Sequence, residues 1–275
     1  MSSESVRTLQ PESAPAQEEL AGRRRRQRDA LLTIGSPIIM IALWELLVQT
    51  KLMDARFFPA PSSIVGTFGQ LIVSGTLLND VWITLTRVVI GLLLGGIPGL
   101  ILGAMMGLSE PVRAFMKPIV AALFPIPKIA ILPLILLIFG LGETSKYVSI
   151  AIGVIFLMLI NTMAGVMAID KIHFDVGRNF GADRWQFFST IAVPGAMPGI
   201  MTGLQLSLTV ALLLCVATEF VGARSGLGYL IWNSWQTFAV ATMYCGLVVC
   251  ALLGVLFQFV IDMLERFLLP WKAQH

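Results

Sequence analysis

Six long apolar runs organise the chain, at residues 31–49, 81–107, 118–141, 147–169, 195–219 and 238–262, with polar residues gathered between them. Each run is continuous. A membrane β-strand would show about ten residues of alternating polarity. A helix crosses a hydrocarbon layer of ~30 Å with about 20 apolar residues. The pattern therefore predicts an all-α membrane protein with about six transmembrane helices. Glycine and proline are frequent inside the runs, which spans tolerate when neighbouring helices satisfy the freed backbone groups. The intervals differ in character. Residues 1–29 are polar and arginine-rich and read as a disordered tail. That tail is long for the leading part of a signal peptide, and no small-residue cleavage site follows the first apolar run. Residues 51–80 read as an external loop with a short amphipathic helix, and 108–117 as a short loop. The stretch 170–193 is the most polar interior interval. Residues 220–237, rich in Gly and Trp, read as a re-entrant or interfacial segment.

Composition agrees. Only 13% of the 275 residues are charged and 56% are hydrophobic. A soluble domain carries about 25% charged residues, so this chain has too little polar surface to cover a water-soluble globule. It also leaves no room for a large soluble domain beside the spans. Cys215, Cys245 and Cys250 lie in apolar runs without metal-ligand spacing, and His173 and His275 cannot build a histidine-rich metal site. Nothing in the pattern points to nucleic acid.

Charge placement orients the chain. With six spans both termini fall on one side, together with thirteen Lys and Arg residues, against four (Lys51, Arg56, Lys146, Arg224) on the other. The lysine- and arginine-rich side is the cytoplasmic one. Both termini and the 170–193 loop are thus expected inside the cell.

That loop looks like two short helices around Gly181, which permits a turn that a side chain would hinder. Trp185, Phe187 and Phe188 then supply aromatic surface among Asp183, Arg184 and Gln186. Pro194 and Pro198 mark the start of the next span. Such a helix suits a partner's groove or the headgroup level of the bilayer; composition does not choose between them.

The loop resembles the one carried by permeases of binding-protein-dependent ABC importers, E-A-A-x3-G-x9-I-x-L-P. Here Asp175-Val176-Gly177 is followed by three residues, Gly181, nine residues, and Ile191-Ala192-Val193-Pro194. The spacing is kept, while Asp replaces Glu, Val-Gly replaces Ala-Ala and Val replaces Leu. Further segments are similar to the nitrate/sulfonate/taurine-type permeases: Trp44-Glu45, Phe58 to Ser63, Pro125 to Pro133, Phe139 to Lys146, Asn161 to Gly165, and Glu219 to Ile231. The likeness covers residue 31 to the end.

The resemblance implies a type I ABC importer permease fold over residues 30–275, with 170–194 as a cytoplasmic coupling loop and 1–29 as a cytoplasmic basic tail. It implies a multi-pass protein of the bacterial cytoplasmic membrane, a transport subunit rather than an enzyme. Expected partners are two ABC ATPase subunits, which alone would hold ATP and Mg, a periplasmic or lipid-anchored substrate-binding protein, a second permease copy, and the lipid bilayer. Asp175, Gly181, Ala182, Asp183, Arg184, Trp185, Phe188 and Pro194 would form the contact with the ATPase. The solute would be small and anionic, like nitrate, a sulfonate or taurine. Relatives of this type also carry bicarbonate or thiamine-precursor pyrimidines.

Ionisable residues within spans suggest function by default. Lys128, Asn161 and Glu219 are the candidates for the translocation pathway. Lys128 would attract an anion, or else snorkel or pair with a carboxylate. Arg87 would pair with Glu219 or Glu45. Asn161 and Thr162 suit interhelical hydrogen bonds equally well. Gly91, Gly95, Gly99 and Gly103, at four-residue steps, predict a close helix-packing face. Gly226-Leu227-Gly228 suits an external gate, a seat for the binding protein, or an interfacial belt. No phosphate-binding loop or nucleophile elbow appears. An intramembrane enzyme would need a converging polar constellation. A secondary transporter would show paired broken helices in repeated halves, and no internal repeat is visible.

Overall fold

A computed structural model describes Leu32 and residues 35–270. The expected tail at 1–29 lies outside the described residues. The chain divides into a part ending at Ser63 and a part beginning at Ile64.

The leading part contains α1 (Gly35–Gln49). It is an apolar helix whose described portion is shorter than a bilayer crossing. Near its end the Glu45 carboxylate accepts from the backbone N–H and the hydroxyl of Ser62 at 3.0 and 2.8 Å, and from Gln49 at 2.7 Å. This closes the intervening loop, where Arg56 pairs with Asp54 at 2.9 Å. That pairing holds the exposed Asp54 carboxyl below its ordinary pKa. The next helix, α2 (Pro61–Val73), opens on a proline, which fits a first helical turn. It is the short helix expected in 51–80.

From Ile64 on, the architecture is a bundle of long apolar helices. α3 (Thr76–Leu108), α6 (Glu143–Met167), α9 (Val193–Phe220) and α11 (Val240–Leu268) are each long and apolar enough to cross a membrane. Between α3 and α6 lie α4 (Glu110–Leu123), a 3₁₀ turn (Lys128–Ile131) and α5 (Leu132–Phe139). α4 and the segment after it meet at 81°, as a broken span or a re-entrant loop, so the described residues hold four or five crossings where the sequence pattern predicts about six. The remaining helices are α7 (Lys171–Asn179), α8 (Arg184–Gln186) and α10 (Leu227–Gln236).

Several sequence boundaries move. The second span begins at Thr76 rather than 81, and the fourth at Glu143 rather than 147. The expected loop at 108–117 is largely the first half of α4. The third span is not one helix. Pro125 and Pro127 each lack an N–H, so the helical ladder cannot pass 124–127 unbroken, and Pro133 sits in the first turn of α5. The segment 220–237 holds a ten-residue helix, α10, between turns.

The α3–α6 contact sets the centre of the bundle. A Cβ on Gly95 would run into the Ala151 carbonyl and lie 2.8 Å from its Cα; one on Gly103 would meet the Leu159 backbone and Thr162 Cβ. The four-residue glycine repeat is therefore a face on which two backbones touch, as its spacing predicts. Val88, Ile150, Val154, Ala211, Cys215 and Leu227 are sealed between α3, α6, α9 and α10.

Candidate functional site

The polar loop folds as two helical stretches around a glycine. Asp170 Oδ1 accepts the Ile172 N–H at 3.0 Å and starts α7. The Ala182 N–H closes the other end on Gly177 O at 3.0 Å. Gly181 follows with φ +71°, the left-handed conformation that glycine adopts without steric cost. Asp183 then caps α8 reciprocally: the Gln186 N–H donates to Asp183 Oδ1 at 2.8 Å, and the Asp183 N–H to Gln186 Oε1 at 2.9 Å.

Phe187–Ala192 continues as a π-helical turn directly into α9, with Pro194 in the first turn. Pro194 has no N–H for the ordinary bond four residues back, which favours the wider turn there. The loop is thus helically continuous with a span. α7 folds back on this turn because Gly177 is bare: a Cβ there would come within 2.7 Å of Ile191 and 2.9 Å of Phe187. The departure from Ala at that motif position has a packing counterpart.

Apolar side chains remain on the outside. Phe180 is 86% and Trp185 72% exposed, and Ile172 and Val176 are also exposed. A hollow of about 620 Å³ lies between the stretches, lined by Ile172, Val176, Phe180, Gln186 and Ile191 among others. Asp175 and Asp183 are exposed at the surface. Arg184 lies in α8 and Phe188 in the π turn.

At the far end of α9 sits a buried ionic cluster. Arg87 is 3% exposed, and four of its five N–H groups are engaged. Its Nε and Nη2 grip both Glu143 oxygens at 2.6 Å. Its Nη1 donates to Glu219 Oε1 and to Ser225 O, each at 2.7 Å. Glu219 also accepts from the Thr84 hydroxyl at 2.9 Å and from the Gly228 N–H at 2.7 Å. The Gly226 N–H donates to Asp80 at 2.8 Å, and the Leu227 N–H to Thr84 Oγ1 at 2.9 Å. The first three N–H groups at the start of α10 are thus each held by a side chain of α3 or α9. A Cβ on Gly226 would meet the Glu219 carboxylate. The cluster pins α10 to α3, α6 and α9 and commits four of the five N–H donors of Arg87 to protein acceptors.

The Arg87–Glu219 pairing follows the sequence expectation, while Glu143, Asp80 and Thr84 were missed. The signal was there for two of them. Residues 80, 84 and 87 share one helix face once α3 starts at Thr76. Lys146, counted as a loop charge, is buried and donates to Glu143 at 3.1 Å.

Of the other pathway candidates, Lys128 lies at the break between α4 and α5. Its ammonium donates to Leu123 O and Phe124 O at 2.9 and 3.2 Å, and sits 4.6 Å from the Phe156 ring centroid. It adds a donor to carbonyls at the proline break, where the Leu123 O otherwise accepts only the Ile126 N–H at 3.4 Å. Asn161 is half-buried in α6, and its amide donates to Leu157 O at 2.8 Å. The structure brings neither to the Glu219 cluster. Among the described residues, no group of three His, Cys, Asp or Glu side chains could hold a metal.

Residues 99–273 match the family described as the binding-protein-dependent transport system inner membrane component. The chain is 34% identical over 277 aligned positions to a Bacillus subtilis (strain 168) permease named for aliphatic sulfonate transport, covering 100% of this chain and 99% of that one. It is 29% identical to the taurine transport system permease of Escherichia coli (strain K12), over 90% and 92% of the two chains. Among solved structures it is similar to an inward-facing methionine ABC transporter, with a TM-score of 0.64 at 22% identity, over 71% of this chain and 97% of that one. That likeness supports the fold: helical spans joined as in type I importer permeases. The chain belongs to the inner membrane components of binding-protein-dependent transport systems, as a multi-pass permease of an ABC importer.

Proposed function

We propose that this permease carries a small sulfonate-like solute into the bacterial cytoplasm, and that 170–194 is where a separate ATPase drives it. The observation that carries the coupling role is the unbroken helical path from Arg184 through the π turn into α9. A displacement of the loop is delivered along ~42 Å of helix to Glu219, which holds α10. Exposed Phe180 and Trp185 beside a hollow suit burial in a partner's groove. The ATPase subunits hold ATP and Mg; this chain takes no part in hydrolysis.

Taking Lys146 out of the loop count sharpens the charge bias, which favours cytoplasmic termini and a cytoplasmic loop. Two copies would flank the path, alternating between inward- and outward-facing states as rigid bodies. A binding protein would deliver the solute on the other side. The sulfonate class is taken from the relatives named for aliphatic sulfonates and taurine; bicarbonate or pyrimidine cargo is the second reading.

Reconstitution tests this. The permease, its ATPase and its binding protein are placed in proteoliposomes and offered labelled taurine or an alkanesulfonate. Uptake that needs both ATP and the binding protein is expected. Uptake by the permease alone, driven by an ion gradient, would overturn the reading.

A further inference from the structure

α9 and α11 carry polar side chains along one seam inside the membrane-crossing region. On α9, Thr202, Gln205 and Thr209 follow at three- and four-residue steps and so share a face. Gln205 Nε2 donates to Gln258 Oε1 of α11 at 2.7 Å, and Gln258 Nε2 donates to Asp262 Oδ1 at 2.7 Å. The Thr202 and Thr209 hydroxyls donate to Pro198 O and Gln205 O of their own helix at 3.0 and 3.1 Å. Thr202, Thr209, Gln258 and Asp262 are exposed and Gln205 is half-buried. None belongs to the cluster around Arg87 or to the coupling loop.

The depth of this ladder matters. α11 has 29 residues, ~43 Å of helix, and a hydrocarbon layer of ~30 Å takes about its middle 20. Gln258 lies inside that layer and Asp262 at its edge. The three α9 residues fall well within their own span. Amides and a carboxylate facing lipid tails are expensive, and such groups instead face a bundle interior or a water-filled cavity. The neighbouring exposed positions, Leu206, Phe259, Val260 and Met263, are apolar and suit lipid. Polarity is confined to one seam.

We infer that the ladder Thr202, Gln205, Thr209, Gln258 and Asp262 lines the aqueous route of the solute. Each glutamine amide keeps a second N–H, and each threonine oxygen keeps its lone pairs. No cation is in the ladder. It takes a small polar solute that both accepts and donates hydrogen bonds, as an aminosulfonate does, with its oxygens toward the glutamine N–H groups and its ammonium toward the threonine oxygens and Asp262, and holds it weakly enough at several points to release it. This rests on the chain being an importer permease.

The test uses the full transporter with its ATPase and binding protein. Cysteine is introduced as Q205C, T209C, Q258C, L206C or F259C, and a charged, water-borne methanethiosulfonate is applied. The native thiols Cys215 and Cys245 are buried and Cys250 of α11 is half-buried, so C250S serves as the parent for every variant and supplies the background. Q205C, T209C and Q258C are expected to react at least ~10-fold faster than L206C and F259C, with transported solute slowing them; T209C serves if a glutamine variant fails to fold. Equal rates across the five would overturn the inference. ATPase co-purification from the same preparation separates the two failures: a bound ATPase with an unlabelled seam rejects only the ladder, and an absent ATPase rejects the importer reading.

Discussion

Replacing Arg87 by methionine strands the Glu219 carboxylate in the bundle. The guanidinium makes four hydrogen bonds there, two to Glu143 and one each to Glu219 and Ser225 O. Glu143 is half-exposed and regains water, but Glu219 is fully buried. Removing one partner of a buried pair costs about 3–5 kcal/mol. At ~2–4 °C per kcal/mol for a chain of this size, the melting temperature in detergent should fall by about 6–20 °C. The charge itself is separable from the hydrogen bonds. Glu219→Gln keeps an acceptor for the Thr84 hydroxyl and the Gly228 N–H while removing the anion. Arg87→Met combined with Glu219→Gln should therefore melt above Arg87→Met alone, recovering roughly 1–3 kcal/mol of coupling. Thermal unfolding of the four proteins, followed by tryptophan fluorescence, completes the cycle. Strict additivity, or an Arg87→Met melting within 2 °C of the parent, would refute the idea that an uncompensated buried charge governs this end of the bundle.

Other consequences follow from single contacts. Gly95→Leu should abolish α3–α6 packing, and even Gly95→Ala, which meets backbone rather than a flexible side chain, should cost about 1–3 kcal/mol, read as lost folded yield or a lowered melting temperature. Lys128→Met should leave the Leu123 and Phe124 carbonyls without their ammonium donor at about 1–3 kcal/mol, seen as lower thermal stability, whereas Lys128→Arg should restore most of it. Gln186→Ala should remove half of the reciprocal cap at Asp183, about 1 kcal/mol, with faster hydrogen exchange over 184–192 and little change elsewhere.

The sequence made the spans and the loop legible because both are local. Four of the six apolar runs became helices long enough to cross, the third run bends by 81° and the first holds a shorter helix in its described part, while the Asp175-to-Pro194 spacing needs no third dimension. The glycine repeat at 91–103 was equally readable, since four-residue steps fall on one helix face. What escaped depends on contacts between distant segments or on averages. Glu143 and Asp80 lay just outside the apolar runs, so setting spans by hydropathy put them in loops, although α6 and α3 include them. Lys128 was visible as a charge in an apolar run. Its carbonyl partners are accessible because Pro125 and Pro127 break the helix there, and hydropathy does not register a bend. The ladder on α9 and α11 was diluted in the same way: a few Gln and Thr residues barely lower the mean of a long run, and only folding puts Gln205 beside Gln258.

The central claim is that the loop, through its exposed aromatics, joins this permease to its motor. The most direct measurement is the affinity of the purified ATPase for the permease in nanodiscs, compared between the parent chain and Trp185→Ala. Trp185 is largely exposed on a loop organised by Gly181 and the Asp183 cap, so its removal should leave the spans folded, as the melting temperature of the variant in nanodiscs checks. A truncated aromatic anchor is worth about 2 kcal/mol or more, so binding should weaken by about 30-fold and ATP-driven uptake should fall with it. Undiminished ATPase binding by Trp185→Ala and by Phe180→Ala together would contradict the assignment of this loop to the motor.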